Sequence, residues 1–382
     1  MIKLLIGGSP CTYWSIAQKN GRETEAEGMG WELFKNYLIA KEKFNPNFFL
    51  YENNKSASQA IKSQIRKELK VWDGTFLTED TKARYIEINS ALVSAQNRQR
   101  FYVHNCGEVG QPQDRGIFLS DILESGYGCN VCDSEKSHTL KAQYFKNGIA
   151  NFVTNNGFDA TAVAVPIRIS TYNSDKSRPC TASYANKSAT SGSLESNCFP
   201  PNPNKQVWDM VAEPIRLDEQ DKHSKPIYEV KDGLITINGK QYPIKLADGY
   251  YIIRKLTVKE CCRLQTLPDD YCRVVSNAQA YKGLGNGWTA EVIIHILNGA
   301  LKDVPKDEEI VVLSMYDGIG TGRYCLDKMG FTNVKYFAYE IDKYAKEIAM
   351  SNYPDIIQMG DAFDLRNPNW TIEIGENETK EE

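Results

Sequence analysis

Val311-Val312-Leu313-Ser314-Met315-Tyr316-Asp317-Gly318-Ile319-Gly320-Thr321-Gly322 is the stretch that decides the fold. Its apolar half predicts a buried strand over 310–314, and a helix is expected over 322–329. The glycines between them let the backbone pass close to a ligand, and the amino end of the helix favours a polar or anionic group. The stretch therefore predicts the ligand-binding turn of a Rossmann-like sheet.

Two acidic residues follow this turn at the ends of later strands. Glu340 ends the next strand about twenty residues on, where an acid can accept hydrogen bonds from both hydroxyls of a ribose. Asp361 closes a third strand and could accept from an adenine amino group. The spacing G-x-G-x-G, with Arg323 at the place of the third glycine of an NAD loop, favours S-adenosylmethionine over NAD. An NAD oxidoreductase remains the alternative for the loop alone.

The amino-terminal part of the chain carries a second group of reactive residues. Gly7-Gly8-Ser9-Pro10-Cys11 follows a short buried strand, and Glu52 ends the next one. A cysteine in such a loop is exposed, and backbone N–H groups and nearby positive charge favour its thiolate. The run Gln96-Asn97-Arg98-Gln99-Arg100 follows later in this part of the chain.

Together these segments resemble the motif set of the cytosine-5 DNA methyltransferases. Residues 254–271 and Gly285-Asn286-Gly287-Trp288-Thr289 extend the resemblance, which covers roughly 1–105 and 252–365. Residues 6–16 and 94–105 look most like the de novo branch. In most of the family the glycine-rich block comes first, so this chain looks like a circular permutant. Thr12 and Asn54 depart from the common pattern, but neither replaces a reacting group.

The resemblance implies an α/β fold and a set of site residues. We expect a Rossmann-like, S-adenosylmethionine-dependent methyltransferase sheet, circularly permuted, with a smaller, irregular, β-rich target-recognition domain. Cys11 would attack C6 of a flipped cytosine, Glu52 would hydrogen-bond N3, and Arg98 and Arg100 would donate to O2 and a nearby phosphate, with Arg98 favoured for the base. The expected cofactor-binding residues are Pro10, Asn286, Trp288, Tyr316, Asp317, Gly318, Gly320, Thr321, Gly322, Glu340, Ile341, Asp361, Ala362 and Phe363.

Changes in composition along the chain predict its domain organisation. The catalytic half is expected over 1–106, the recognition domain over 107–251 and a return to the catalytic domain over 252–301. A linker at 302–309, a cofactor-binding half at 310–370 and an acidic tail at 371–382 complete the prediction. Alternating strands and helices in the catalytic half favour a parallel sheet.

Charge and composition bound the partners. The net charge of -4 does not suggest a nucleic-acid binder, but residues 136–190 carry an excess of basic over acidic side chains that suits phosphate contacts on double-stranded DNA. Ten cysteines without a signal peptide or an apolar membrane span indicate the cytoplasm of a bacterial or phage-infected cell. A companion restriction endonuclease, phage self-protection and regulation all stay open, as do the recognition sequence and the oligomeric state.

Three further alternatives stay open at this stage. The chain could be an RNA cytosine-5 methyltransferase with the same chemistry, or a catalytically silent DNA-binding paralogue. No complete metal site is predicted, although Cys129-Asn130-Val131-Cys132 could be half of a zinc site, with Cys106, Cys180 or Cys198 as partners.

Overall fold

The computed structural model describes residues 1–15, 21–71, 83–124, 128–131, 134–146, 148, 152–153, 161–169, 214–215 and 226–372. Its α-helices are α1 (Gly28–Phe44), α2 (Gln59–Glu68), α3 (Leu119–Ile122), α4 (Val258–Leu264), α5 (Asn277–Asn286), α6 (Ala290–Leu301), α7 (Thr321–Lys328) and α8 (Lys343–Asn352). The strands are β1 (Ile2–Gly7), β2 (Phe48–Asn54), β3 (Arg84–Asn89), β4 (Gln99–His104), β5 (Cys129–Asn130), β6 (Ala162–Ile169), β7 (Pro214–Ile215), β8 (Ile227–Lys231), β9 (Leu234–Ile237), β10 (Lys240–Pro243), β11 (Gly249–Lys255), β12 (Ile310–Met315), β13 (Val334–Tyr339) and β14 (Ile357–Gly360).

The central sheet joins the two ends of the chain. Its strand order is β14-β13-β12-β1-β2-β4-β3, and β1 pairs in parallel with both β12 and β2. The register aligns Ile2 with Ile310 and Gly7 with Met315. The expected Rossmann-like α/β sheet is therefore confirmed, with β1 at its centre and the glycine-loop strand β12 beside it.

The strands at the centre of this sheet are apolar because both of their faces are covered. Leu4 and Ile6 belong to one buried cluster, whereas Leu5 belongs to another that also contains residues of α1 and α2. The same alternation divides Val312 from Val311 in β12.

One edge of the sheet differs from the predicted parallel arrangement. β4 runs antiparallel to both β2 and β3. Only residues 90–98, which include a 3₁₀ turn at Ser90–Leu92, connect β3 to β4. Such a connection is too short for the helical crossover that a parallel pair requires, so the two strands form an antiparallel pair.

A second, antiparallel sheet follows, with the order β10-β9-β8-β11-β6-β5. Asn238-Gly239, a dipeptide that favours a tight hairpin, joins β9 to β10 with φ values of 51° and 75°, as a type I′ turn requires. β11 continues to Lys255, past the predicted boundary at residue 251. Residues of this sheet, such as Val163 and Ile253, share one apolar cluster with Leu4 and Ile6, so the second sheet is packed onto the catalytic one.

The parallel strands place the predicted site residues at one edge. β1, β2, β12, β13 and β14 run in the same direction, and the segments that follow them meet at their carboxyl ends. In open α/β sheets this edge is where ligands bind.

Candidate active site

Cys11 lies in a loop that is fixed to the neighbouring strand. It begins a 3₁₀ turn at Cys11–Tyr13, just after β1. Asn53 donates to the Ser9 carbonyl at 2.9 Å, and the hydroxyls of Ser9 and Tyr51 lie 2.8 Å apart. A Cβ at Gly8 would fall 2.4 Å from the Glu52 carbonyl oxygen. Glycine at this position therefore allows the loop to run directly beside β2.

Cys11 differs from the other cysteines that the structure describes. Its side chain is partly exposed, whereas Cys106, Cys261, Cys262, Cys272 and Cys325 are buried. Burial raises the pKa of the Cys106 thiol to about 12 and also raises the pKa of Cys261 and Cys325. Buried thiols with raised pKa values are poor nucleophiles. Among the described cysteines, Cys11 is therefore the candidate for nucleophilic chemistry.

Glu52 is held by donors from two distant segments. Arg100 Nε lies 2.9 Å from Glu52 Oε1, and their side chains are only 10% and 13% exposed. Trp288 Nε1 donates to Glu52 Oε2 at 3.1 Å. The carboxylate thus has a cation beside Oε1 and a hydrogen-bond donor on Oε2, within the carboxyl-end edge of the sheet.

Arg98 occupies a different position from the one predicted. Its buried guanidinium donates to the carbonyl oxygens of Leu140, Gly285 and Gly287 at 3.1, 3.1 and 2.8 Å. Burial, together with the charge of Arg100, lowers the pKa of Arg98 to about 9. Arg98 was favoured as the donor to the base, but three backbone carbonyls engage it. Arg100, by contrast, contacts Glu52.

The spacing of these side chains explains why two of them meet the same partner. Gln96, Arg98 and Arg100 are two residues apart, which is the period of extended backbone. Gln96 Oε1 accepts from Leu140 N at 3.3 Å, so Gln96 and Arg98 both contact the same residue of the predicted recognition domain.

The loop that carries Trp288 lies against that domain. A Cβ at Gly285 would fall 2.3 Å from the backbone nitrogen of Ala142. Gln265 donates to the Leu284 carbonyl at 2.6 Å and accepts from Thr289 at 2.9 Å. Asn286 is exposed and Trp288 is partly exposed, so both remain accessible to a ligand. The resemblance covered residues 254–271 but assigned no role to Gln265.

The glycine loop has the backbone that its sequence predicts. Gly318 and Gly320 have φ values of 64° and 80°, and α7 begins directly after them. Tyr316 also has a positive φ of 59°, which is uncommon for a residue with a side chain. Its hydroxyl donates to the Leu33 carbonyl at 2.8 Å, which fixes the turn against α1.

Gly322 allows α7 to pack closely on the sheet. A Cβ at this position would fall 2.4 Å from both Ile6 Cδ1 and the Tyr336 hydroxyl oxygen. Gly322 therefore serves helix packing, and Gly320 also lies against a helix residue, Ala349, whereas a Cβ at Gly318 would meet nothing within 4 Å.

Glu340 and Asp361 stand at the ends of β13 and β14, as predicted. Glu340 accepts from the backbone N–H groups of Gly318, Ile341 and Asp342 at 2.8, 2.8 and 2.7 Å. Asp361 accepts from Phe363 N at 2.9 Å. These bonds orient both carboxylates from the backbone and tie the glycine loop to the end of β13.

The same edge suits the adenosine part of a cofactor. Ile341 is 70% exposed and Phe363 is 36% exposed, whereas Ala362 between the two strand ends is buried. Exposed apolar side chains beside two oriented carboxylates fit an aromatic base and its ribose. Asp317 Oδ2 and Thr321 Oγ1 are buried without a hydrogen-bond partner, so the loop also retains unused polar atoms. Pro10, which is exposed, lies in the adjacent loop after β1.

Some predicted features lie outside the described residues. They are the side chain of Cys129, Cys132, Cys180, Cys198, the side chain of Arg168, Lys176, Arg178, Lys187 and the tail from residue 373. Within the described ranges, no group of three or more His, Cys, Asp or Glu side chains suits a metal ion. No helix of the same ranges is long and apolar enough to cross a membrane.

Comparison with known families identifies the group to which the chain belongs. The family model of the C-5 cytosine-specific DNA methylases matches residues 1–302. The chain is a member of this family.

Solved structures and curated proteins add little to this assignment. A crystal structure of a triple mutant of Spodoptera frugiperda DNMT2 shares 15% sequence identity with the methylase chain. The alignment covers 77% of this chain and 78% of the DNMT2 chain, with a TM-score of 0.36. A likeness this low supports no argument. No curated protein matches the chain.

Asp317 gives the methylase a pH-dependent stability. Burial raises the pKa of this carboxyl to about 6 from an ordinary 3.8. The folded protein binds the proton more tightly than the unfolded chain. Protonation of Asp317 therefore stabilises the folded state, and this stabilisation is complete below the unfolded pKa and is lost as pH rises through the folded pKa.

We expect Asp317→Asn to remove this pH dependence. Between about pH 4 and pH 7, the wild-type free energy of unfolding should fall relative to the variant by about 3 kcal/mol. Urea unfolding of both proteins across this range measures the difference. If the free energies of unfolding of the two proteins changed with pH in parallel, the raised pKa of Asp317 would be contradicted.

Substitution of the two arginines by lysine should separate their roles. A lysine at position 98 cannot span three carbonyls, so Arg98→Lys should lower the free energy of unfolding by about 3 kcal/mol. Arg100→Lys keeps a cation beside Glu52 and should cost about 1 kcal/mol. Urea unfolding tests this order, and an equal or larger loss for Arg100→Lys would reverse the assignment.

Proposed function

We propose that the chain is an S-adenosylmethionine-dependent DNA (cytosine-5)-methyltransferase that acts on double-stranded DNA. The observation that carries the proposal is the position of Cys11. Cys11 is partly exposed and lies in a loop that is fixed to β2, the strand that holds Glu52. The same sheet edge carries the glycine loop with its two oriented carboxylates.

Cytosine methylation at C5 needs both a nucleophile and an acid. C5 is a poor nucleophile, so the Cys11 sulfur forms a bond to C6 and breaks the aromaticity of the ring. Glu52, as the carboxylic acid, hydrogen-bonds N3 and stabilises the negative charge that develops there. C5 then has enamine character and can accept a methyl group. Arg100 would donate to the base O2.

The cofactor supplies an electrophilic methyl group when it is bound. Glu340 would hold its ribose, Asp361 its adenine amino group, and Ile341 and Phe363 would flank the adenine. After methylation a base removes the C5 proton, for which water is the candidate, and the bond between Cys11 and C6 breaks.

The target base has to leave the DNA stack before Cys11 can reach it. C6 of a stacked cytosine is inaccessible to a side chain, so the base must flip into the active site. The second sheet, whose apolar residues share one buried cluster with the catalytic sheet, would carry the recognition role. The predicted basic excess over 136–190 would supply phosphate contacts there.

We also propose that the chain is circularly permuted. The family match ends at residue 302, close to the end of α6, yet β12 lies within the sheet, between β1 and β13. Residues 302–309 would then join the ends of the usual order. Ile2 N donates to the Glu309 carbonyl at 2.7 Å, so the new amino terminus lies beside this linker.

Methyl transfer from labelled S-adenosylmethionine tests the proposed function. Label should appear on cytosine C5 of unmethylated duplex DNA within one short sequence, because the recognition domain selects the site. Cys11→Ser should reduce transfer by at least about a thousandfold, since it removes the nucleophile. Cys106→Ala, which removes a buried thiol, should retain activity and serves as the matched control.

Other outcomes would redirect the proposal. Label on RNA but not on DNA would identify an RNA cytosine-5 methyltransferase. Cofactor binding without label on either nucleic acid would identify a catalytically silent paralogue. Undiminished transfer by Cys11→Ser would contradict the role of Cys11.

A further inference from the structure

We infer that Trp288 is a positioning residue for Glu52, beyond any contact it makes with the cofactor. The inference rests on the proposed function, because Glu52 matters only if it acts on a base. Trp288 Nε1 donates to Glu52 Oε2 at 3.1 Å across 236 positions of sequence. The cofactor role expected for Trp288 does not require this hydrogen bond.

The second donor fixes the plane of the carboxylate. The terminal torsion of a glutamate side chain is broad, so a contact at one oxygen leaves the group free to rotate. Arg100 forms an ion pair at Oε1, with Nε at 2.9 Å, and no hydrogen bond from Arg100 to the carboxylate accompanies it among the described contacts. With Trp288 on Oε2, both oxygens have a fixed direction, and each keeps a lone pair for a further partner. The carboxyl group is then oriented before a base arrives, as efficient catalysis requires.

The position of the indole is itself determined by buried contacts. Arg98 donates to the carbonyls of Gly285 and Gly287, immediately before Trp288. Thr289, immediately after it, donates to Gln265 at 2.9 Å. Both Arg98 and Gln265 are buried, at 3% and 0% exposure. These contacts leave the backbone on either side of the indole little freedom to shift.

The same contacts connect Glu52 to the recognition domain. Arg98 also donates to the carbonyl of Leu140, and Gly285 packs against the backbone of Ala142. A shift of residues 140–142 would therefore move the loop that holds Trp288. The orientation of Glu52 depends in this way on the docking of the recognition domain.

Trp288→Phe tests the inference because it keeps an aromatic ring and removes only the N–H donor. We expect single-turnover methyl transfer to duplex DNA, at saturating S-adenosylmethionine, to slow by on the order of tenfold. Affinity for the cofactor, measured by calorimetry, should stay within about twofold of wild type. Trp31→Phe is the matched control. Trp31 lies on α1 and packs in an apolar cluster, so the methyl-transfer rate of this variant should be unchanged.

A double-mutant cycle with Glu52→Gln separates positioning from structure. If Trp288 acts through Glu52, Trp288→Phe should slow the Glu52→Gln enzyme by less than about twofold. A tenfold loss in both backgrounds, a parallel loss of cofactor affinity or an unchanged rate would overturn the inference. If wild type itself transfers no methyl group, the proposed function fails and the inference fails with it, whereas a failed cycle in an active enzyme leaves the function intact.

Discussion

The parallel pairing of β1 with both β12 and β2 is the constraint on which the site depends. It aligns Gly7 with Met315 on one side and with Tyr51 on the other. This register brings the loop of Cys11, the strand of Glu52 and the glycine loop to one edge, although some three hundred residues separate the first from the last. Apolar side chains on both faces of β1 and β12 stabilise the pairing, because both faces of the sheet are covered.

Buried polar contacts then convert this general edge into a specific geometry. One group of buried polar contacts surrounds Glu52 and the loop of Trp288. Its donors are Arg100 in β4, Arg98 just before β4 and Trp288 just before α6. An unpaired buried charge is costly, so each member limits where the others can lie. The catalytic half, the predicted recognition domain and residues 285–289 thus depend on each other through a few hydrogen bonds.

The sequence predicted the parts of the molecule that local pattern determines. The buried strand before the glycine loop and the helix after it follow from apolar spacing and the glycines between them, and the structure shows both, as Ile310–Met315 and Thr321–Lys328. Glu340 and Asp361 were predictable because an acid at the end of a parallel strand must lie at the ligand edge.

Contacts between distant segments could not be read in the same way. The two-residue spacing of Gln96, Arg98 and Arg100 places them together but does not show which one meets Glu52. The contact between Trp288 and Glu52 depends on how α6 packs, and no periodic pattern in the sequence predicts it. The antiparallel β4 was missed because only the short connection over 90–98 distinguishes a hairpin from a crossover.

Trapping the enzyme on DNA that contains 5-fluorocytosine tests the central claim most directly. Fluorine at C5 cannot be removed as a proton, so the bond between the attacking residue and C6 persists after methylation. The account predicts a denaturation-resistant adduct that peptide mass spectrometry places on Cys11. An adduct on any other residue, or no adduct from an enzyme that methylates ordinary cytosine at C5, would contradict it.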